Sequence, residues 1–68
     1  MYKRYAALRD ERGLTDYKIS QMTGIRTSTL SDWRHNLYQP KLDKLLLIAK
    51  ALGVSINELI GDVNEEQQ

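Results

Sequence analysis

Apolar residues along this 68-residue chain recur three and four positions apart, with no sustained alternation of apolar and polar positions. That spacing keeps side chains on one face of an α-helix, whereas a half-buried strand needs a period of two. A single proline and the lack of any Asn-Gly or Asp-Gly pair leave no hairpin signal. The pattern predicts an all-α fold of five short helices. The first covers residues 3–12, with Tyr5, Leu8 and Ala6 facing inward and Gly13 as its left-handed stop. The second follows Thr15, a hydroxyl N-cap, carries Asp16 in its first turn, buries Ile19 and Met22, and ends near Thr23-Gly24. The third spans residues 27–35, with Asn36 as its terminator. After a loop at 37–40, Pro40 opens the fourth helix, where a missing N–H costs nothing. Leu42, Leu45, Leu46, Ala49 and Leu52 make that helix the spine of the core, and Gly53 ends it. Ser55-Ile56-Asn57-Glu58 is a capping box for the fifth helix, which carries Ile56, Leu59 and Ile60 and closes at Gly61. Residues 1–61 thus form one domain, and 62–68 read as a polar, disordered tail.

Composition narrows the possibilities further. The chain has no cysteine, so it has no disulfide, thiolate metal site or thiol nucleophile. Its longest apolar run, residues 45–49, falls far short of the roughly 20 residues that span a bilayer. The first residues turn amphipathic at once, without the apolar stretch of a signal peptide, and a cytoplasmic setting is expected. The formal net charge of +1 hides an uneven distribution. All ten Lys and Arg lie within residues 1–50, beside five acids (Asp10, Glu11, Asp16, Asp32, Asp43), while residues 51–68 carry only acids. A positive body with a negative end suits an anionic partner on one surface.

The stretch from Thr15 to Asn36 carries the most information. Two short helices joined by Gly24-Ile25-Arg26 have the spacing of a helix-turn-helix. Stepping about 100° per residue from Leu30 puts Trp33 and Arg26 at about 300° and 320°. On the same wheel, Ser31, His35, Ser28 and Asp32 fall at about 100°, 140°, 160° and 200°. One face is apolar; the other offers short polar side chains in place of the long Lys, Glu and Gln that ordinary solvent-facing surfaces favour. Such a face lets a backbone approach another surface closely. The DNA major groove admits one helix, where Ser and Thr donate or accept and a carboxylate accepts from cytosine N4. Arg26, at the helix N-terminus, is in reach of a guanine or of a phosphate, and backbone N–H groups at the starts of helices two, three and four are free for phosphate oxygens.

The residues Gly13-Leu14-Thr15, Ile19-Ser20, Gly24-Ile25, Ser28-Thr29-Leu30-Ser31, Trp33, Pro40, Leu45, Ile48-Ala49, Leu52-Gly53-Val54-Ser55 and Glu58-Leu59 resemble the Cro/lambda-repressor-type helix-turn-helix family over residues 5–61. The run Ser28-Thr29-Leu30-Ser31-Asp32-Trp33 is similar to a subset common in small Gram-positive and prophage regulators. The resemblance implies a compact five-helix DNA-binding domain that binds a pseudo-palindromic operator as a homodimer and regulates transcription, usually by repression. Carried over residue by residue, it puts base-facing roles on Thr27, Ser28 and Asp32, with Arg26 and Ser31 beside them. It puts phosphate roles on Thr15, Asp16, His35, Asn36 and the loop from Tyr38 to Lys41. Four positions depart from the family pattern. Asp16 stands where a Gln usually bridges to phosphate. Arg26 fills a slot often held by a Ser or Thr cap. Arg34 occupies a place where many members carry a Glu that pairs with the arginine found here as Arg9, so both arginines must find acids among Asp10, Glu11 and Asp43. Asn36 replaces the usual Gly, which the left-handed region tolerates.

Other readings of the same residues carry less weight. His35 is the only histidine, and without cysteine it has no matching cluster for zinc, so neither metal nor cofactor is expected. Trp33, at helical spacing from Leu30, belongs to the core. No paired carboxylates, Gly-rich phosphate loop or Ser/His/Asp spacing point to an enzyme. The fold also serves protein-interaction modules such as antitoxins, with Ile56, Ile60 and the acidic tail as the working surface. For a regulator, one helix reads too few base pairs for a useful specificity ratio, so a homodimer is expected, with the fifth helix (Ile56, Leu59, Ile60) as its surface. No small-molecule ligand is expected.

Overall fold

A computed structural model describes residues 1–61 of the chain. Among them are five helices and no strand: α1 (Tyr2–Glu11), α2 (Asp16–Thr23), α3 (Thr27–Arg34), α4 (Leu42–Leu52) and α5 (Ile56–Ile60). The tail expected at 62–68 lies outside the described residues. Helix ends follow local chemistry closely. Thr15 Oγ1 accepts the Lys18 N–H at 3.1 Å, and Ser55 Oγ accepts the Glu58 N–H at 3.0 Å, each satisfying an amide that its helix leaves unpaired. α3 ends with Asn36 at φ 64°, the Leu37 N–H donating to the Asp32 carbonyl at 2.8 Å and the Asn36 N–H to Trp33 at 3.0 Å. This is a Schellman ending with asparagine in the left-handed place usually held by glycine.

One core residue or more comes from every helix. Tyr5 and Leu8 of α1, Ile19 of α2, Leu30 and Trp33 of α3, and Leu59 of α5 close around Leu45, Ile48, Ala49 and Leu52 of α4. Two arginines, Arg4 of α1 and Arg12 at its C-cap, fasten α1 to α5 and α4. Arg12 Nε donates to the Leu52 carbonyl at 2.6 Å, and Arg4 Nε donates to the Glu58 carbonyl at 2.9 Å. Both acceptors lie near helix C-termini, where cationic donors are favoured.

Three expectations about the core need correcting. Leu42 and Leu46 are 61% and 49% exposed, and Ile48 is buried in their place. α4 is apolar on several sides, so its spacing admits two stripes; the neighbours α2 and α5 select the one running through Leu45, Ile48 and Leu52. Met22 is 49% exposed, because α2 stops at Thr23 and Ile25, past the turn, takes the inward place instead. Leu59 is fully buried, so it belongs to the core and is not available to the dimer surface expected on the fifth helix.

Pro40 also sits differently from its expected place. α4 starts at Leu42 with Lys41 as N-cap, and Pro40 lies just before that cap and is buried. Together with Leu45 it occupies the two positions of a hydrophobic staple, which sets the angle at which the chain enters the helix.

Ile48→Ala and Leu59→Ala are each expected to lower the unfolding free energy by about 2–5 kcal/mol. Leu46→Ala, at a largely exposed position, should cost about 1 kcal/mol or less. Urea titrations followed by Trp33 fluorescence check the ordering, and a Leu46→Ala cost equal to that of Ile48→Ala would refute the assigned stripe.

Candidate nucleic-acid interface

The turn between α2 and α3 is built by one hydroxyl and one glycine. Thr23 Oγ1 donates to the Ile19 carbonyl at 2.8 Å and accepts the Ile25 N–H at 3.1 Å. Gly24, at φ 81°, reverses the chain, and its N–H donates to the Ser20 carbonyl at 2.8 Å. An L side chain at that φ is strained, so glycine is required there. Ile25 is thereby turned into the core, and α3 leaves at an angle that buries Leu30 and Trp33.

Trp33 is 3% exposed and packs against two tyrosines of α1. Its ring centroid lies 5.0 Å from that of Tyr5 and 5.4 Å from that of Tyr2, the latter in an edge-on arrangement. Aromatic pairs at such distances prefer tilted and edge-to-face geometry. With the indole fixed, the opposite side of α3 faces out: Thr27, Ser28, Asp32 and His35 are exposed, and Ser31 is half-buried. His35 Nδ1 lies 2.9 Å from the Ser31 carbonyl oxygen, which can only accept, so Nδ1 carries the proton and Nε2 is left for an outside partner. The hydroxyl-rich row expected from the helical wheel is therefore brought together on one outward surface.

The helix starts around this surface differ from one another. Thr15 caps α2, whereas the N-caps of α3 (Arg26) and α4 (Lys41) make no side-chain cap bond. Their first N–H groups are left for an outside acceptor, which is the arrangement that favours anions. Arg26, Asn36 and Lys41 are exposed and Tyr38 is half-buried.

Asp16 has a role that its sequence position did not reveal. Its Oδ1 accepts the Tyr5 hydroxyl at 2.6 Å and Arg9 Nη1 at 2.7 Å. Arg9 also donates to Tyr2 Oη at 3.2 Å and pairs with Asp10 at 3.0 Å, and its guanidinium lies 5.5 Å from the Tyr5 ring centroid. The expected pairing of Arg9 with Asp10 is present; the shorter and less exposed bond goes to Asp16, which joins the start of α2 to α1. Glu11 pairs instead with Arg12, and among the described residues Arg34 has no ion pair. Burial works against the charge on Arg9, but its bonds to Asp16, Tyr2 and Asp10 outweigh that and hold the guanidinium more firmly protonated than usual. Burial first, and then the Asp16 carboxylate, push the Tyr5 phenol above the ordinary phenol range. Tyr5 was legible as a core residue and Arg9 as an arginine in need of an acid; their meeting at Asp16 required the crossing of α1 and α2.

A family model described as helix-turn-helix matches residues 6–59. This chain belongs to the helix-turn-helix family. Its α2–α3 pair is the motif itself, with α3 as the second helix, and the resemblance read from Gly24-Ile25 and Ser28-Thr29-Leu30-Ser31 is borne out. The chain is also 32% identical over 68 residues to the immunity repressor protein of Bacillus phage phi105. That alignment covers 96% of this chain and 47% of the relative, so this helix-turn-helix chain spans about half of the longer protein. No solved structure matches it. Among the described residues of this helix-turn-helix domain, no cluster of His, Cys, Asp or Glu is suited to a metal, and no helix is long and apolar enough to cross a membrane.

Tyr5→Phe tests the bridge. The native state holds the phenol protonated, while the unfolded chain loses that proton as pH rises through about 10. Native stability should therefore fall with rising pH above that point, and Tyr5→Phe should remove this part of the slope. At neutral pH the variant should lose about 1.5–3 kcal/mol, the worth of a hydrogen bond to a charged group. Urea midpoints measured across alkaline pH check both; an unchanged slope would show that the Tyr5 proton is not held by the fold.

Proposed function

We propose that this domain is a sequence-specific double-stranded DNA-binding regulator of transcription, acting as a repressor in the bacterial cytoplasm with α3 in the major groove. The observation that carries the reading is the outward row of Thr27, Ser28, Ser31 and Asp32 on a helix whose other side is locked into the core by Leu30 and Trp33. Short hydroxyls and a carboxylate at close approach suit base edges. Thr27, Ser28, Ser31 and Asp32, with Arg26 beside them, are assigned to bases. Thr15, His35, Asn36, Tyr38 and Lys41 are assigned to phosphates, where the uncapped starts of α3 and α4 add backbone donors. Asp16 serves this surface by holding the start of α2 against α1, its charge already met by Arg9. Membership of the helix-turn-helix family supports the reading, and similarity to a phage immunity repressor protein supports repression.

A pseudo-palindromic operator and a homodimer complete the proposal. With Leu59 spent on the core, α5 offers only the half-buried Ile56 and Ile60 to a second copy. Leu42, Leu46 and Leu47 of α4 add apolar surface that is exposed among the described residues.

An anisotropy titration against duplexes enriched from a random-sequence pool, at two salt concentrations, tests the core of the proposal. Affinity should fall steeply with salt, because Lys and Arg displace counterions condensed on phosphates. Ser28→Ala should change base preference at one position of each half-site, by about 1–3 kcal/mol, whereas Lys41→Gln should weaken all duplexes alike. Flat salt dependence together with unchanged preference in Ser28→Ala would overturn the reading. Sedimentation of the protein alone and on the duplex, with two chains expected per operator, checks the dimer.

A further inference from the structure

A cleft of about 340 Å³ opens on the flank of α3, between the α2–α3 turn and the start of α4. Its lining includes Arg26 and Lys44, one cation from each wall, together with the hydroxyl-bearing Thr29 and Tyr38. Ile25 and Gly24 complete its lining. Among the described residues neither Arg26 nor Lys44 makes an ion pair or a side-chain hydrogen bond, in contrast to Arg4, Arg9 and Arg12, which all do. Two unpaired cations that converge on one concavity repel each other, and an anion between them removes that repulsion. The N-cap of α3 has no side-chain acceptor, so the amides that open this helix lie at the same end as Arg26.

Direction matters as much as charge. Counted at about 100° per residue from Leu30, Arg26 and Thr29 lie at about 320° and 260°. Ser31, His35 and Ser28 lie at about 100° to 160°, on the other side of the helix. Arg26 and Thr29 therefore stand off the base-facing row, and with Lys44 of α4 they line the cleft.

We infer that the cleft between Arg26 and Lys44 grips a phosphodiester of the DNA backbone, with Thr29 and Tyr38 as hydroxyl donors. This deepens the DNA-binding reading and rests on it. It moves Arg26 from the bases to the backbone, and it adds Lys44 and Thr29 to the interface. The two cations anchor the flank of α3, so that Thr27, Ser28 and Asp32 discriminate bases at a fixed distance.

Arg26→Gln, Lys44→Gln and the double variant test it, with thermal melting to show that each still folds. Each single change should weaken an enriched duplex and an unrelated one by the same factor, about 3- to 10-fold at low salt, and should lower the salt slope by about 1. Because both cations share one phosphate, the double variant should lose less than the product of the two single losses. Neutralising backbone phosphates one at a time as methylphosphonates should reveal one position per half-site that weakens wild type but not Lys44→Gln. A loss of preference at one base in Arg26→Gln, with the salt slope intact, would make Arg26 a base reader and overturn the inference while leaving the DNA reading standing. So would unchanged duplex affinity in Lys44→Gln. If Lys44→Gln loses binding of inorganic phosphate but not of duplex, the cleft is a free-anion site and the backbone assignment falls. Failure of wild type to bind any duplex would remove the parent reading as well.

Discussion

Trp33 packs on Tyr5 and Tyr2 with centroids 5.0 and 5.4 Å away, and the exposed chemistry of the domain depends on that contact. α3 has only eight residues, too few to be stable alone in water, so its orientation is inherited from what it buries. Leu30 and Trp33 supply that burial. Once the indole is wedged against α1, rotation of α3 about its axis would draw the aromatic out of the core, and the row from Thr27 to Asp32 has one direction left to face. Both tyrosines sit in the first two turns of α1, so the start of the chain is part of the device that aims α3.

A second constraint keeps α2 in step. Asp16, at the start of α2, accepts from Tyr5 and Arg9 of α1, and Tyr5 is also the ring on which Trp33 lies. One tyrosine therefore touches both helices of the motif, through its face for α3 and its hydroxyl for α2. Partial burial makes this bridge stronger than a surface ion pair of the same length, because water competes less for the carboxylate. Arg9, freed from any partner on α3 by the arginine at position 34, is neutralised from α2 instead. The charge left over on the outward surface, at Arg26, Arg34, Lys41 and Lys44, is then available to an anionic partner.

Much of this was legible along the chain, because caps and stops are local. Thr15 and Ser55 bind amides three residues away, and Asn36 needs only its own backbone to turn left-handed. The amphipathic wheel of α3 was equally readable, since Leu30 and Trp33 share a face in any helix of this period. Less of α4 could be read. Leu42, Leu45, Leu46, Leu47 and Ile48 are all apolar, and periodicity cannot say which stripe a neighbour will cover. Leu59 was misread for a related reason: an apolar residue on a short terminal helix serves a core or a partner equally well until the packing of α5 is known.

The order of helix signals, the polar row of α3 and the positive bias of residues 1–50 followed from the amino-acid sequence alone, because each arises from residues within a few positions of one another or from simple composition. Tertiary structure alone decided that Asp16 meets Arg9 and Tyr5, that Arg26 and Lys44 line one cleft, and that Ile48 displaces Leu46 from the core. Each of those outcomes depends on the angle at which two helices cross. Short helices take that angle from the sum of all their contacts, not from any local signal.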